Sequence, residues 1–538
     1  MRAQTPLGSR RRAGAVRARA AAGVPEPLVV PLPDGSTLYN FTGEAVPRTM
    51  QRPARNPRSP GGRRGAARGA GAPGPPGAVV DDRQALPPLP LPALARPARV
   101  VLVRHGQSTW NAEGRIQGST DHSVLTEKGK EQARVSGEML AQDRFDTLIH
   151  SPLARAAETA EIVWGRREGY GEATVLPTLR EVDLYAFEGL LKAEGIERFG
   201  ANFRAWQQNP ANFEIDGHYP VQELWYRGSL AWQQVLDRPK NNTLVVAHNA
   251  VNQALIGTSL GLPPAYFRRM LQSNGAVTVL DFVPAPAGGL RVTVDRLNQS
   301  PASPLSGAGA GRKANGRIIL IRHAATFSSE NGLLMGCAIE ESCSAQGERE
   351  LPYLAELMNE TSLDRVFTSP ASRCVQTAQA VKASQGPNCA EIQVSEKLNN
   401  MYLAEWEGRR AVDVRASPPP AGAEPLESFY ERTSAVWKEL LRAAGEAGGQ
   451  NVAVVSHSAT ISALLCHALQ LGPEALGTFR LGTSSVSVVD FPDGPLGGAG
   501  VLRATNYTSH LKPAASAAAA TLQDEMDFEL ICGWEGCV

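Results

Sequence analysis

Two short stretches of the chain place a basic pair directly after an apolar run: Arg104-His105 after Val100–Val103, and Arg322-His323 after Ile318–Ile321. A further arginine lies 50 residues beyond each histidine, Arg155 in SPLARAAETA and Arg373 in SPASRCVQTA. A second histidine follows each, His248 in TLVVAHNAVNQALI and His457 in VAVVSHSATISALL. Paired guanidiniums are planar forks that match phosphate oxygens bidentately. An imidazole between them can attack phosphorus and carry the phosphoryl group, which splits one displacement into two easier ones. A second, cationic histidine stabilises charge on the equatorial oxygens. A leaving alkoxide needs a proton from a carboxylic acid, and Glu181 in TLREVDLYAFEG is the candidate. No metal is required by this set, because Arg104, Arg155 and His248 supply the positive field. No CxxC or HExxH spacing is present.

These residues are useful only if a fold brings them together. Val100–Val103 reads as a fully apolar strand, Thr147–Ile149 and Thr243–Ala247 as two more, and Val277–Phe282 as a last one. Thr126 reads as the cap of a helix over EKGKEQARVSGEMLA. Ala154–Trp164, Glu223–Leu236 and Asn249–Leu260 read as further helices. Strands alternating with helices predict an α/β fold, with a mostly parallel sheet covered by helices on both faces. Such sheets bind ligands at the carboxyl ends of their strands. Arg104-His105, Ser151 with Arg155, and His248 all fall at such ends.

The landmarks recur at an offset of 218 residues for the first two and 209 for the last. The unit is therefore a duplicated domain, far longer than the repeat of a solenoid. The reading is 98–283 for the first copy, 284–314 for a Pro- and Gly-rich linker, 315–492 for the second copy, and 493–538 for a loosely ordered tail.

The whole chain of 538 residues carries a net charge of +1, but residues 1–80 hold thirteen arginines against Glu26, Asp34 and Glu44, so the remainder stands near −9. The first 97 residues are rich in Arg, Ala, Pro and Gly. They lack both the apolar core of a secretory signal and enough apolar surface to fold. They read as an organellar transit segment and disordered tether. Nucleic-acid binding is disfavoured, since the stretch lacks aromatic residues to stack on bases. No apolar run is long enough to span a membrane. All seven cysteines lie at or beyond Cys337 and read as free thiols, Cys532 and Cys537 being close enough to form a labile pair. Thiol regulation is an open expectation from that one-sided distribution.

VRHGQSTWN, SPLARAAETA, LREVDLYAFEGL and VVAHNAVNQAL together resemble the histidine phosphatase, or phosphoglycerate mutase-like, superfamily, with a weaker copy at 315–492. The resemblance implies that His105 becomes the phosphohistidine and that Arg104, Arg155 and His248 form the phosphate pocket. Glu181 becomes the proton donor, and Asn111 and Gln117 contact phosphate or substrate. RIQGSTDHSVLTEKG, PANFEIDGHYPV and DRLNQSPASPLSG are similar to a narrower plant and algal group of two-domain chloroplast members. That likeness implies a small sugar-phosphate monoester as substrate, no cofactor, and a stromal location.

The second copy keeps Arg322, His323, Arg373 and His457 but has Asn400 where the first has Glu181, and Ser329 where the first has Asn111. Asparagine cannot protonate an alkoxide, so this site is expected to be vestigial, with Glu405 as a remote substitute acid. Glu188 reads as structural, because its counterpart Glu407 survives in the acid-less copy. His150 reads as a satisfied strand-end histidine. His122 and His218 fall in pocket loops, and Arg180 and Lys192 are carboxylate partners by charge alone. The Cys343-x5-Arg349 spacing imitates a cysteine phosphatase loop, but at the 218 offset Ser344 matches the cap Thr126, so a helix start is the better reading. Two rivals remain. A mutase needs a basic insertion for a second phosphate, and residues 200–222 offer only Arg204. A non-catalytic phospho-ligand-binding scaffold is disfavoured by the intact His105 and Glu181.

Overall fold

The computed structural model describes residues 83–511, except 166, 168–172, 238–241, 286–287, 301, 307–313, 387–390, 415–416, 447–448 and 497–499. It also describes a short ladder between Val30–Pro31 and Thr37–Leu38. The expected transit segment therefore falls almost wholly outside the described residues, as do Cys532 and Cys537.

Each copy is built on four parallel strands. In the first these are β1 (Ala98–Arg104), β2 (Thr147–His150), β3 (Thr174–Val175) and β4 (Asn242–Ala247). Their order is β1-β4-β2-β3. β5 (Val277–Pro284) runs antiparallel to β1, and β6 (Leu290–Gln299) antiparallel to β5. The second copy repeats the plan with β7 (Arg317–Arg322), β8 (Arg365–Thr368), β9 (Ile392–Val394), β10 (Asn451–Ser456), β11 (Val486–Asp490) and β12 (Val501–Tyr507). The central strands are uninterrupted Val/Ile/Leu runs because helices cover both faces. Burying each such side chain contributes roughly 1.5–3 kcal/mol, which fixes β1 and β4 as the rigid floor beneath the site.

The helices match the sequence periodicity closely. Those that position the site are α1 (Thr109–Glu113), α2 (Glu127–Met139), α3 (Ala154–Trp164), α4 (Lys192–Phe199), α5 (Ala201–Gln208), α6 (Pro220–Leu236) and α7 (Asn249–Ser259). Thr126 caps α2 through its side chain, which accepts from Gly129 N. Ser344 caps its counterpart Ala345–Met358 in the same way, so Cys343 lies just before a helix start. These helix starts press on the loop after β1 and β7. A Cβ at Gly129 would lie 2.1 Å from Gln107 O, and one at Gly347 would lie 2.2 Å from Ala325 O. Only glycine permits that approach.

Three expected boundaries are corrected. Residues 83–97 are not part of a free tether: Leu89 N donates to Ser229 Oγ, and Leu91 and Leu94 pack on the core beside α6. The stretch 284–314 is not a plain linker, because β6 occupies 290–299. The stretch 493–538 is not wholly a loose tail, because β12 occupies 501–507. The last two have one cause. β6 and β12 pair antiparallel with each other, Leu297 opposite Thr505, and join the two copies into one twelve-stranded sheet. Each strand covers the other's open edge.

The junction has approximate two-fold symmetry. Asn298 Nδ2 donates to Arg503 O at 2.6 Å, and Asn506 Nδ2 donates to Asp295 O at 2.8 Å. Both asparagines take a positive φ, 54° and 52°. Leu271 N donates to Leu502 O, and Arg480 N donates to Val294 O, at equivalent places on the two sides.

Candidate active site

The first-copy residues singled out from sequence meet at the carboxyl edge of β1, β2 and β4. Arg104 ends β1, His105 follows it, Arg155 lies in the first turn of α3, and His248 caps α7 directly after β4. His105, Arg155, Glu181 and His248 are all buried, and the two histidine rings meet edge-on at 5.1 Å.

The His105 ring is oriented by its own loop. Nδ1 lies 2.7 Å from Gly106 O, and a carbonyl only accepts, so Nδ1 carries the proton and Nε2 keeps its lone pair. Burial, then Arg104 and Arg155, hold His105 well below the usual histidine range and favour its neutral ring. His248 Nε2 lies 2.7 Å from Ser151 Oγ, while its buried Nδ1 has no protein partner. Burial, then Arg155, His105 and Arg104, push His248 well below the usual range too. The expectation of a cationic His248 is thus corrected for the protein by itself: two guanidiniums already repel the charge. A bound phosphate dianion supplies the opposite charge that would favour protonation.

The guanidiniums are anchored at one end only. Arg104 Nη1 donates to Gln272 O at 2.7 Å; Arg155 Nη1 and Nη2 donate to Thr120 O and Gly118 O at 3.0 and 2.9 Å. The Nε of each is buried without a protein partner, as is Gln117 Nε2. Burial lowers Arg104 to about 10, with Glu181 opposing that shift and Arg155 adding to it. Buried donors left unpaired are costly unless something accepts from them. Four such donor sites in one pocket, His248 Nδ1 included, suit a tetrahedral oxyanion.

Glu181 lies in the loop after the turn Pro177–Leu179. Its Oε1 accepts from Ala250 N and Val251 N, and also from Val182 N at 3.0 Å. Arg227 Nη2 braces the loop from α6 by donating to Glu181 O at 2.8 Å. Asn111, in α1, donates through Nδ2 to Gln117 Oε1 at 3.1 Å. Asn274 Nδ2 then links Asn111 Oδ1 to His105 O, each at 3.1 Å. Sequence reasoning missed Asn274 and Arg227. Asn274 sits in SNGAV, just before β5, and its counterpart turn GTSSV was the available signal.

The remaining candidates sort themselves out. Glu188 is structural: it accepts from Ser119 N, Thr120 N and Leu184 N, and Glu407 does the same for Ala338 N, Ile339 N and Leu403 N. His150 is buried and bonds Ser151 O. His218 stacks on Tyr185 at 4.5 Å and lies 3.0 Å from Glu223 Oε1, which ties it to those two residues. His122 is exposed beside Trp110. Arg180 lies 3.8 Å from Asp183, Lys192 is exposed at the start of α4, and Arg204 is exposed on α5.

The second copy reproduces the cationic half of the pocket. His323 Nδ1 lies 2.8 Å from Ala324 O, and the His323 and His457 rings are 5.4 Å apart. Arg373 donates to Ile339 O and Gly336 O. The acid is absent. Asn400 turns away and donates to Met335 O at 2.5 Å. Glu405 is exposed, which removes it as a substitute acid.

Residues 100–291 and 318–497 match the histidine phosphatase superfamily (branch 1). The chain is 43% identical over 442 residues to "2-carboxy-D-arabinitol-1-phosphatase" of Triticum aestivum, covering 78% of this chain and 88% of that one. It is 42% identical over 426 residues to "Probable 2-carboxy-D-arabinitol-1-phosphatase" of Arabidopsis thaliana, covering 77% and 88%. It is 34% identical over 194 residues to "Probable phosphoglycerate mutase GpmB" of Cronobacter sakazakii, covering 35% of this chain and 86% of that one. With both copies matched, the chain belongs to the histidine phosphatase superfamily.

Proposed function

We propose that this chain hydrolyses 2-carboxy-D-arabinitol 1-phosphate to 2-carboxy-D-arabinitol and phosphate through a phosphohistidine on His105. The observation that carries the chemistry is the pocket of unpaired buried donors, Arg104 Nε, Arg155 Nε, Gln117 Nε2 and His248 Nδ1, around a tautomer-fixed His105. The likeness to the wheat protein, which extends across both copies, supports the substrate.

In this reading His105 Nε2 attacks phosphorus while the two arginines and His248 hold the equatorial oxygens. The P–O bond breaks as Glu181 gives its proton to the departing alkoxide. Water then attacks the phosphohistidine, Glu181 takes back a proton, and phosphate leaves. The second copy, with Arg322, His323, Arg373 and His457 but no acid, turns over little sugar phosphate. The Arg-rich leader supports import into the chloroplast stroma. A mutase is disfavoured because Arg204 is exposed and alone in its segment.

The test is a phosphate-release screen of the full chain with 2-carboxyarabinitol 1-phosphate, phosphoglycerates, fructose phosphates and ribulose bisphosphate. The carboxyarabinitol ester should give the highest kcat/KM, with no bisphosphate primer. Loss of no more than a small part of that activity in His105→Ala would overturn the assignment. Isomerised phosphoglycerate in place of released phosphate would make the chain a mutase.

A further inference from the structure

The two pockets differ above all in one chemical capacity. The second keeps both histidines and both arginines, while Met335 stands where the first has Gln117 and His457 Nδ1 lies 3.4 Å from Arg373 Nη2. His323 is oriented by Ala324 O as His105 is by Gly106 O, at 2.8 and 2.7 Å. His457 Nε2 lies 3.0 Å from Ser369 Oγ, where His248 meets Ser151 at 2.7 Å. Arg322 Nε and Arg373 Nε are buried without protein partners, as in the first pocket. These donors still point to an oxyanion.

What is missing is the proton. Asn400 is committed to Met335 O. A carboxylate is present nearby in Glu350, which stands where the first copy has Gln132, but its hydrogen bonds hold it elsewhere. It accepts from Ala325 N at 3.0 Å, Ser484 Oγ at 2.8 Å and Thr483 Oγ1 at 3.1 Å. Its charge balances Arg322 without reaching a leaving group. Loss of a general acid matters in proportion to the basicity of the leaving group. An alkoxide cannot depart without a proton. A carboxylate or a nitrophenolate departs without one.

We propose that the second copy is a phosphoryl acceptor for activated phosphates, acyl and aryl phosphates, with His323 as the nucleophile. His323 Nε2 forms a bond to phosphorus, and the P–O bond breaks with its electron pair leaving on the carboxylate or phenolate. Water then attacks phosphorus, the N–P pair returns to Nε2, and both water protons leave with the product as dihydrogen phosphate. Among the described residues of this copy, Asn400 fills the place of Glu181 and cannot activate that water. The second step is therefore slow, and the phosphohistidine accumulates.

The experiment incubates the full wild-type chain and the His105→Ala chain with acetyl phosphate, then maps acid-labile phosphohistidine by peptide mass spectrometry. Parallel assays measure phosphate release from p-nitrophenyl phosphate and from 2-carboxyarabinitol 1-phosphate. His105→Ala should lose about 100-fold or more of its sugar-phosphate turnover while label persists on the His323 peptide. His323→Asn in that background should abolish the label with an unchanged melting temperature. Absence of label on the His323 peptide in both wild type and His105→Ala overturns the proposal, and so does label that survives His323→Asn. Neither result bears on the reading of the first site, which is tested by the sugar-phosphate rates of the wild type and of His105→Ala.

Discussion

The Glu181 carboxylate sits on the amino end of α7, where Ala250 N donates to its Oε1 at 3.0 Å and to its Oε2 at 3.1 Å. The same helix is capped by His248. One helix start therefore positions both Glu181 and His248, and β4 fixes that start by pairing with β1. His105 and His248 are thus tied to two adjacent strands, and the loop that carries Glu181 is held to the same helix start.

Glu181→Gln keeps the side-chain shape and removes the transferable proton. Turnover of an alkyl phosphate should fall by about 10²–10⁴-fold. Turnover of p-nitrophenyl phosphate, whose leaving group needs no proton, should fall far less. Steady-state phosphate release with the two substrates checks this. An equal loss on both would show that Glu181 positions the pocket instead of donating.

The buried histidines make stability depend on pH. His105, His248, His323 and His457 all lie well below the ordinary value of 6.5, chiefly through burial, and His467 and His510 are lowered to about 4. The unfolded chain therefore binds more protons than the folded one below pH 6.5. The stabilisation is fully present above 6.5 and is lost as pH falls towards the folded values, by about 1 kcal/mol per pH unit for each group. Thermal melts from pH 8 to pH 5 should show a steady fall in Tm. Saturating orthovanadate should flatten the slope, because a bound oxyanion favours the charged histidines.

Glu188 acts on the pocket through another residue. It holds the N–H groups of Ser119 and Thr120, whose loop supplies the Gly118 and Thr120 carbonyls that anchor Arg155. Glu188→Ala leaves those donors unsatisfied and should cost about 1–3 kcal/mol or more. It should also raise KM more than it lowers kcat. Glu407→Ala should cost similar stability with no effect on sugar-phosphate kinetics. Urea melts and steady-state kinetics on both variants check the pair.

Much of this was legible in the chain. Arg104, His105, Arg155 and His248 follow apolar strands or start helices, so period and punctuation located them. The fully apolar strands were equally plain, because both sheet faces are covered. Asn274 and Arg227 were hidden, since each acts through one long-range contact that leaves no local pattern. β6 and β12 were missed for a different reason. Each begins just past a Pro- and Gly-rich stretch, and each is completed only by the other copy. LRVTVDRLNQ carries an alternating pattern whose meaning depends on a partner 200 residues away.

That junction is testable at Asn298. Its side chain accepts from Ser273 N at 2.6 Å and donates across the copies to Arg503 O, while its backbone holds a φ of 54°. Asparagine tolerates this left-handed conformation better than other residues with a side chain. Asn298→Ala therefore loses the buried hydrogen bond to Arg503 O and the part-buried ones to Ser273, and adds backbone strain, at a cost of about 2–4 kcal/mol. Asn298→Gly removes the same bonds but relieves the strain, so it should cost less. Asn506→Ala on the opposite side should match Asn298→Ala. If β6 and β12 make the two copies one cooperative unit, calorimetry should show a single unfolding transition in wild type. The double variant Asn298→Ala/Asn506→Ala should separate it into two. A single transition that merely shifts down would mean that the remaining strand pairing is enough to hold the copies together.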